Sequence, residues 1–367
     1  MLKELYIDNY KCLVNFTFTP QNINLLLGEN GTGKSTVFEV LRKLKQFITE
    51  GRDLSIFPSE ALTRWQLSPT QNFELSVSIQ ERIYRYRLSI EHNKQKSLSR
   101  IQSEQLFVDK NPLFDFQLGS IRLFRDDFSA GPEYPFDWSQ PGLATIHPRS
   151  DNQLLTAFKS WMENLLVIKP NPMGMDMESK SEEKQLGYNC KNFASWYGSL
   201  WLERQGEALE LILKLREILP GFHSFNMPKA GEKIRLFQLG FKAEKGEIIF
   251  YNLDELSDGQ RMIILLYALL HSIHQDNVCL CIDEPENFLA LPEIQPWLIS
   301  LYDLCQDKNI QAFLISHNPE SINYLASGSG YWLDRLPNGP TRIKPIVESG
   351  DTGLKISELI ARGWLYE

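Results

Sequence analysis

The sequence predicts an α/β fold built on a phosphate-binding loop, with a mixed central sheet, an antiparallel β subdomain and a small helical insertion. Three observations predict it. Residues 25–37 read Leu-Leu-Leu-Gly-Glu-Asn-Gly-Thr-Gly-Lys-Ser-Thr-Val, which sets Gly28, Gly33, Lys34 and Ser35 at Walker A spacing between an apolar strand and a helical stretch. Residues 278–286 form a second apolar run that ends in the consecutive carboxylates Asp283 and Glu284. Between residues 73 and 90 the pattern alternates with period two, Tyr84, Tyr86, Leu88 and Ile90 on one face and Arg85, Arg87 and Ser89 on the other, as half-buried antiparallel strands do.

With 367 residues, 43% hydrophobic and 23% charged, the chain can bury more than one core, or one core with a large insertion. A net charge of -8 argues against broad electrostatic adhesion to nucleic acid or to an anionic membrane, so any DNA contact has to be local. The five cysteines, Cys12, Cys190, Cys279, Cys281 and Cys305, are scattered without a CxxC pair, which suits a reduced cytosolic protein. Cys279 and Cys281 alternate along an apolar run and are expected in the core. The first residues lack an apolar signal core, and the longest apolar run, residues 262–270, is too short to span a bilayer. The chain is therefore expected to be cytoplasmic and to make no use of a membrane.

Residues 5–7 and 16–18 predict two short strands, and residues 25–27 a third that delivers the phosphate loop. Small residues there let backbone N–H groups turn inward, and the helix that follows adds its positive end. Gly28, Asn30, Gly31, Gly33, Lys34, Ser35 and Thr36 are the expected phosphate-site residues. Lys34 is expected to reach the β and γ phosphates, Ser35 to offer its hydroxyl to Mg²⁺, and Thr36 to be a weaker second hydroxyl. An antiparallel meander is expected between about residues 73 and 125, followed by an irregular connection over residues 127–148, which are rich in Pro, Gly and aromatics. Residues 154–167 predict an amphipathic helix ended by Lys169-Pro170-Asn171-Pro172. Residues 173–187, polar and charged, read as a mobile loop, and residues 193–219 as one or two helices stopped by Pro220-Gly221. The expected division is a first lobe over residues 1–150, a helical insertion or lid over 151–230, and a second lobe over 231–367.

In the second half, residues 236–241 and 247–251 predict a hairpin around Lys245-Gly246. Leu256-Ser257-Asp258-Gly259-Gln260 then opens an apolar helix over residues 262–273, where backbone amides and a hydroxyl suit phosphate oxygens. The alternative is a plain N-cap made by Ser257 or Asp258. Two acids closing a buried strand are costly unless they meet a cation or polar ligands. Asp283 accordingly suits Mg²⁺ coordination, and Glu284 suits polarising a water for attack on a γ-phosphate, while Glu286 reads as structural. Residues 311–316 form another apolar strand, ending in Ser316-His317 at the sheet edge where open α/β folds bind ligands, so His317 is expected to sense the γ-phosphate. A hairpin around Pro337-Asn338-Gly339 and a short helix over residues 354–362 close the chain. Arg82, Arg85, Arg87, Lys94, Lys96 and Arg100 form the most basic patch, suited to a phosphate backbone and equally to a solvated strand face. Trp196, Tyr197 and Trp201 read as helix packing, and His271 and His274 as packing or surface residues.

Together the Walker A loop, the Leu-Ser-x-Gly-Gln segment, the strand ending Asp-Glu-Pro and the downstream Ser-His resemble the head domain of ABC-type ATPases. Asn9-Tyr10-Lys11, the Gly-Glu-Asn-Gly-Thr-Gly-Lys-Ser form of the loop and Asp-Glu-Pro-Glu-Asn are similar to the RecF, SMC and overcoming-lysogenisation-defect group, and more narrowly to short AAA-type ATPases of bacterial phage-defence and toxin systems. The resemblance implies an ABC-type P-loop NTPase head that takes ATP and Mg²⁺ and pairs head to tail as a homodimer or higher homo-oligomer. Ser257 and Gly259 of one copy then contact the γ-phosphate held by the other, and Lys11 lies near the nucleotide. Asp258 departs from the Gly usual in transport cassettes, and no transport-type Q-loop is legible. Gln153 is the candidate for that metal-binding glutamine and Gln140 the next. Residues 151–230 accommodate only a few helices, so no long coiled coil is expected. The implied function is ATP binding and hydrolysis, with dimerisation controlling a separate effector, a nuclease or toxin, or engaging DNA, in phage defence or DNA repair. One alternative is a nucleotide-regulated scaffold with little turnover. A transporter cassette fits less well, because Gly28 and Leu256 lie far apart with a β meander between them.

Overall fold

The apolar run that carries the phosphate loop is buried along its whole length, and the layers on either side of it explain why. The computed structural model describes residues 1–93, 96, 98–273, 278–308, 310–347 and 354–363. The elements run β1 (Leu2–Asp8), β2 (Phe16–Phe18), β3 (Ile23–Gly28), α1 (Lys34–Thr49), β4 (Thr70–Ile79), β5 (Arg82–Asn93), β6 (Leu98–Val108), β7 (Asn111–Gln117), β8 (Ser120–Phe124), β9 (Ala130–Pro135), α2 (Gln153–Glu163), β10 (Leu165–Ile168), β11 (Glu178–Ser179), α3 (Phe193–Glu203) and α4 (Gln205–Ile218). They continue as β12 (Phe222–Asn226), β13 (Arg235–Leu236), β14 (Gln238–Lys242), β15 (Ile248–Asn252), α5 (Asp258–Ser272), β16 (Cys279–Asp283), α6 (Leu291–Asp307), β17 (Gln311–Ile315), α7 (Pro319–Ser329), β18 (Gly330–Arg335), β19 (Thr341–Pro345) and α8 (Ile356–Ala361).

β3 lies inside a six-stranded sheet of order β10-β16-β17-β3-β18-β19, parallel except for the β18–β19 pair. Every residue of β3, β16 and β17 is buried, because both faces of the sheet are covered. Leu26, Cys281 and Phe313 face one core, shared with α1, α2 and the antiparallel sheet, whereas Leu25, Leu280 and Leu314 face a second, built with α3 to α7. Strands buried on both faces read as continuous apolar runs, which is how the sequence presents them. The second sheet is antiparallel, of order β2-β1-β4-β5-β6-β7-β8-β9. Its β4–β5 and β6–β7 turns pass through the left-handed pairs Gln80-Glu81 and Asp109-Lys110, the backbone that a two-residue hairpin loop requires. Tyr84, Tyr86, Leu88 and Ile90 are its buried face, as their alternation predicts. The longest helix among the described residues is α6, with 17 residues, and no long coiled coil occurs among them. No helix among the described residues is long and apolar enough to cross a membrane.

Two local expectations are corrected. Residues 154–167 are not one helix: α2 ends at Glu163, and Leu165–Ile168 pairs in parallel with β16 from Leu165↔Cys279 to Ile168↔Ile282. Four apolar residues have no readable period, so a buried strand looks like the last turn of a helix, and what decides is the open edge of β16. The connection over residues 127–148 contains an eighth strand of the meander sheet, β9. The segment expected as a mobile loop, residues 173–187, contains paired and buried residues. Glu178–Ser179 pairs with Arg235–Leu236, Met175 and Leu186 are buried, and the Asp176 N–H donates to the Lys191 carbonyl at 2.8 Å. β10, within the range expected for the helical insertion, is an edge strand of the central sheet, and α3 and α4 are followed by a small sheet of order β12-β14-β15.

Candidate functional site

The C-terminal ends of β3, β16 and β17 lie side by side, since Ile315 pairs with both Leu26 and Asp283. They open on a cavity of about 750 Å³, which is within the size of small-molecule sites. Asn30, Gly31, Gly33, Lys34, Ser35 and Thr36 line it from the loop, and Lys11, Asp283, Glu284 and His317 from the neighbouring elements. Gly28 supports the loop from behind. Its φ is 145°, and a Cβ there would lie 2.3 Å from the Leu333 carbonyl oxygen. At Gly33, φ is 99° and a Cβ would meet the Cys12 Sγ at 2.8 Å. No other residue type tolerates both conditions without displacing the backbone or the neighbour.

Lys34 Nζ donates to the Gly28 and Glu29 carbonyls at 2.7 and 2.9 Å, and burial lowers its pKa despite the nearby Asp283 and Glu284. Ser35 Oγ donates to Asp283 Oδ2 at 3.1 Å, and Asp283 is only 3% exposed. A hydroxyl and a carboxylate converging on one point are the hard oxygen donors that Mg²⁺ prefers. An ammonium already stands there, Lys169 Nζ, 3.3 Å from Asp283 Oδ2 and 3.4 Å from Glu284 Oε2, so the residues present fit a cation. Partial burial works against protonation of Lys169, but the two carboxylates outweigh it and raise its pKa.

Glu284 has a left-handed backbone, φ 58°, which turns the chain out of the strand and sets the carboxylate against the cavity. Its N–H donates to the Ile315 carbonyl at 2.8 Å, and its Oε2 accepts from Asn287 Nδ2 at 3.0 Å. Glu286 bolts the ends of β16 and β17 together, Oε1 accepting from Ser316 Oγ at 2.7 Å and from the His317 N–H at 2.9 Å. Lys11 Nζ donates to Glu39 Oε2 at 2.5 Å and Lys43 Nζ lies 3.0 Å from Oε1. Burial would raise the Glu39 carboxyl, but hydrogen bonds from Lys11, Lys43 and Tyr10 overcome it and hold the pKa low. The cavity edge is thereby fastened to α1.

Ser257 and Gly259 are not in this cavity. Ser257 caps α5, its Oγ accepting from the Gln260 N–H at 3.2 Å while Gln260 Oε1 accepts from the Ser257 N–H at 3.1 Å, and the residue stays exposed. The first residue of the helix is Asp258, so the capping residue is Ser257. A Cβ at Gly259 would lie 2.8 Å from the Phe288 carbonyl oxygen, so only glycine lets α5 approach the segment after Asp283 this closely. Arg261 fixes the loop before the helix, donating to the carbonyls of Leu256 and Asp254 and, across the fold, of Pro172.

Gln153 as a metal ligand is a correction. It is exposed at the start of α2, where the Asp126 carboxylate accepts its N–H at 2.8 Å, and neither it nor Gln140 lines the cavity. The strand that reaches the cavity from this region is β10, and it brings Lys169. Sequence reasoning missed Lys169 although the run Leu165–Ile168 followed by Lys-Pro has the same form as the strand ending in Asp283. Arg64, Trp65 and Arg335 were also missed. They line the cavity mouth, the Arg335 guanidinium 5.4 Å above the Trp65 ring and its Nη1 donating to the Gly31 carbonyl at 3.2 Å. Nothing in the pattern of residues 59–69 marks the first two, and Arg335 stands in no motif.

On the basic strand face, Arg82, Arg87 and Arg100 are engaged by Asp109, Glu74 and Glu91 at 3.8, 3.1 and 2.6 Å, which favours the solvated-face alternative. Lys94 and His274 lie outside the described residues. Trp196 and Tyr197 are packed in the core as expected, whereas Trp201 is partly exposed. His271 is 3.9 Å from Glu210, and burial lowers its pKa.

The sequence model of the family described as "AAA domain, putative AbiEii toxin, Type IV TA system" matches residues 23–323. No curated protein matches the chain. Among solved structures it is similar to one titled "Crystal structure of the SmcHead bound to the C-winged helix domain of ScpA", at 10% identity over 97% of this chain and 99% of that one, with a TM-score of 0.57. It is also similar to the SMC head domain from Thermotoga maritima, at 12% identity over 94% of this chain and 98% of that one, with a TM-score of 0.47. The likeness to the former is one of fold: a P-loop α/β head of the SMC type.

Proposed function

The chain belongs to this AAA-domain family, of P-loop ATPase type, and from that premise we propose that two copies pair head to tail around Mg²⁺-ATP, hydrolyse it, and through pairing and release control a separate effector. The observation that supports this reading is a separation of residues. Lys34, Ser35, Asp283, Glu284 and His317 share one cavity, while Ser257 and Gly259 stand outside it at the surface end of α5. Each copy then holds an incomplete shell for a γ-phosphate, and a second copy supplies the missing helix N-terminus.

In this mechanism Lys34 leaves the Gly28 and Glu29 carbonyls for the β and γ phosphate oxygens. Ser35 and Asp283 would hold Mg²⁺, which would supply positive charge against the charge developing on the transferred phosphoryl group. Glu284 orients and polarises the attacking water, and His317 contacts the γ-phosphate oxygens. Lys11 lies at the nucleotide edge. The effector is a nuclease or toxin on another chain, and the setting is phage defence or DNA repair in the cytoplasm. DNA is a weaker partner, because Arg82, Arg87 and Arg100 of the exposed strand face are already matched by acids. One observation favours a low-turnover scaffold as the second reading: Glu284 Oε2 is held by both Asn287 and Lys169.

Equilibrium dialysis against labelled ATP with Mg²⁺ tests the nucleotide site itself. Lys34→Ala is expected to weaken binding at least tenfold, roughly 1.4 kcal/mol or more. Equal binding by wild type and variant would place the nucleotide elsewhere.

A further inference from the structure

The cavity holds a third lysine, Lys169, that the mechanism above does not use. β10 and β16 pair in register up to Ile168↔Ile282, and one further step sets Lys169 beside Asp283. Pro170 ends the strand there, and the Lys169 N–H donates to the Tyr188 carbonyl at 2.7 Å, so the position of Lys169 is set by the sheet and by the following loop. Its Nζ lies 3.3 Å from Asp283 Oδ2, the same oxygen that accepts from Ser35 Oγ at 3.1 Å, and 3.4 Å from Glu284 Oε2. Of the other two lysines of the cavity, Lys34 is turned to the carbonyls of its own loop and Lys11 is paired with Glu39. Two neighbouring carboxylates at the end of a buried strand need a positive partner, and it is Lys169 that provides one. The Lys169 side chain is 45% exposed, so its ammonium can swing away without opening the core.

We propose that Lys169 is the built-in counter-cation of the Asp283–Glu284 pair, standing where a divalent cation binds together with the nucleotide and exchanging with it. This rests on the nucleotide-site reading above and adds to it a rule for metal entry. Metal ion alone must compete with a tethered ammonium for Asp283. Metal arriving with a triphosphate brings oxygen ligands of its own and offers the displaced ammonium a new anion. The cavity therefore selects the metal–nucleotide complex over the free metal, and Lys169 is a positioning residue that keeps both carboxylates in place until the complex arrives.

The test is Mn²⁺ binding to nucleotide-free protein, followed by electron paramagnetic resonance of the free ion, with thermal unfolding measured in parallel. Wild type and Lys169→Arg are expected to bind Mn²⁺ weakly. Lys169→Gln is expected to unfold at a lower temperature in chelator, to regain stability with Mn²⁺ alone, and to bind it about tenfold more tightly or better, the scale on which one neighbouring charge shifts an ionic equilibrium. Adding Asp283→Asn to Lys169→Gln is expected to abolish the gain. Binding by Lys169→Gln no tighter than by wild type, or a gain that survives Asp283→Asn, would overturn the proposal. Should Lys169→Gln fail to fold, wild type alone decides: nucleotide-free Mn²⁺ binding as tight as that measured with a non-hydrolysable ATP analogue overturns it, and much weaker binding supports it. Binding of Mg²⁺-ATP to wild type is measured separately, and its absence would count against the nucleotide site rather than against the counter-cation.

Discussion

Glu284→Gln is expected to bind Mg²⁺-ATP as wild type does and to turn it over more slowly by a factor on the order of 10²–10⁴, the range that a positioned general base contributes. The substitution keeps the size of the side chain and its hydrogen bond with Asn287 Nδ2, which a Gln carbonyl accepts as well as a carboxylate does. It removes the negative charge that the proposed mechanism uses to polarise water, and with it one of the two carboxylates facing Lys169. The left-handed backbone at Glu284 is the structural sign that this position is built for reach rather than for strand pairing, since a non-glycine residue there costs on the order of 1 kcal/mol. Phosphate release at saturating ATP measures the effect. If wild type is as slow as the variant, Glu284 is not acting as a base and the low-turnover scaffold is the better description.

Ser257→Arg is expected to abolish ATP-dependent pairing. Ser257 is exposed and contributes a cap to α5, a helix otherwise held by a buried apolar run from Met262 to Leu270, so the loss of about 1 kcal/mol of capping leaves the monomer folded. In the proposed head-to-tail pairing, a long cation at that point would occupy the space for the γ-phosphate held by the other copy. In size-exclusion chromatography with ATP, Glu284→Gln is expected to elute as a dimer, because hydrolysis no longer separates the copies, and Glu284→Gln with Ser257→Arg as a monomer. Two profiles that coincide would remove Ser257 from the interface.

The parts of the fold and of the candidate site that were legible in sequence are those whose chemistry forces a local pattern. β3, β16 and β17 are covered on both faces and so read as apolar runs, and each ends in a residue that an apolar strand has no reason to carry: Gly28, Asp283 and, just beyond β17, His317. What was not legible depends on contacts distant in sequence. The cap of α2 comes from Asp126, whose carboxylate accepts the N–H groups of both Gln153 and Leu154, so Gln153 is a helix-start residue and not a ligand. β10 is four residues long and becomes a strand only because the edge of β16 is open, and Lys169 was hidden with it. Trp65 and Arg335 meet at the cavity mouth from opposite ends of the chain, and neither stands in a motif. Motifs thus located the phosphate end of the cavity, while its cationic neighbour and its rim came from topology.

The most direct test of a site shared between two copies is to mix Lys34→Ala with Ser257→Arg and measure ATP turnover. Each protein alone lacks one half of every site and is expected to be close to inactive. A mixed dimer has one complete site, with the P-loop, Asp283 and Glu284 from the Ser257→Arg copy and the α5 N-terminus from the Lys34→Ala copy. Head-to-tail pairing predicts turnover in the mixture well above the sum of the separate proteins. Turnover that stays at that sum over all mixing ratios would contradict it.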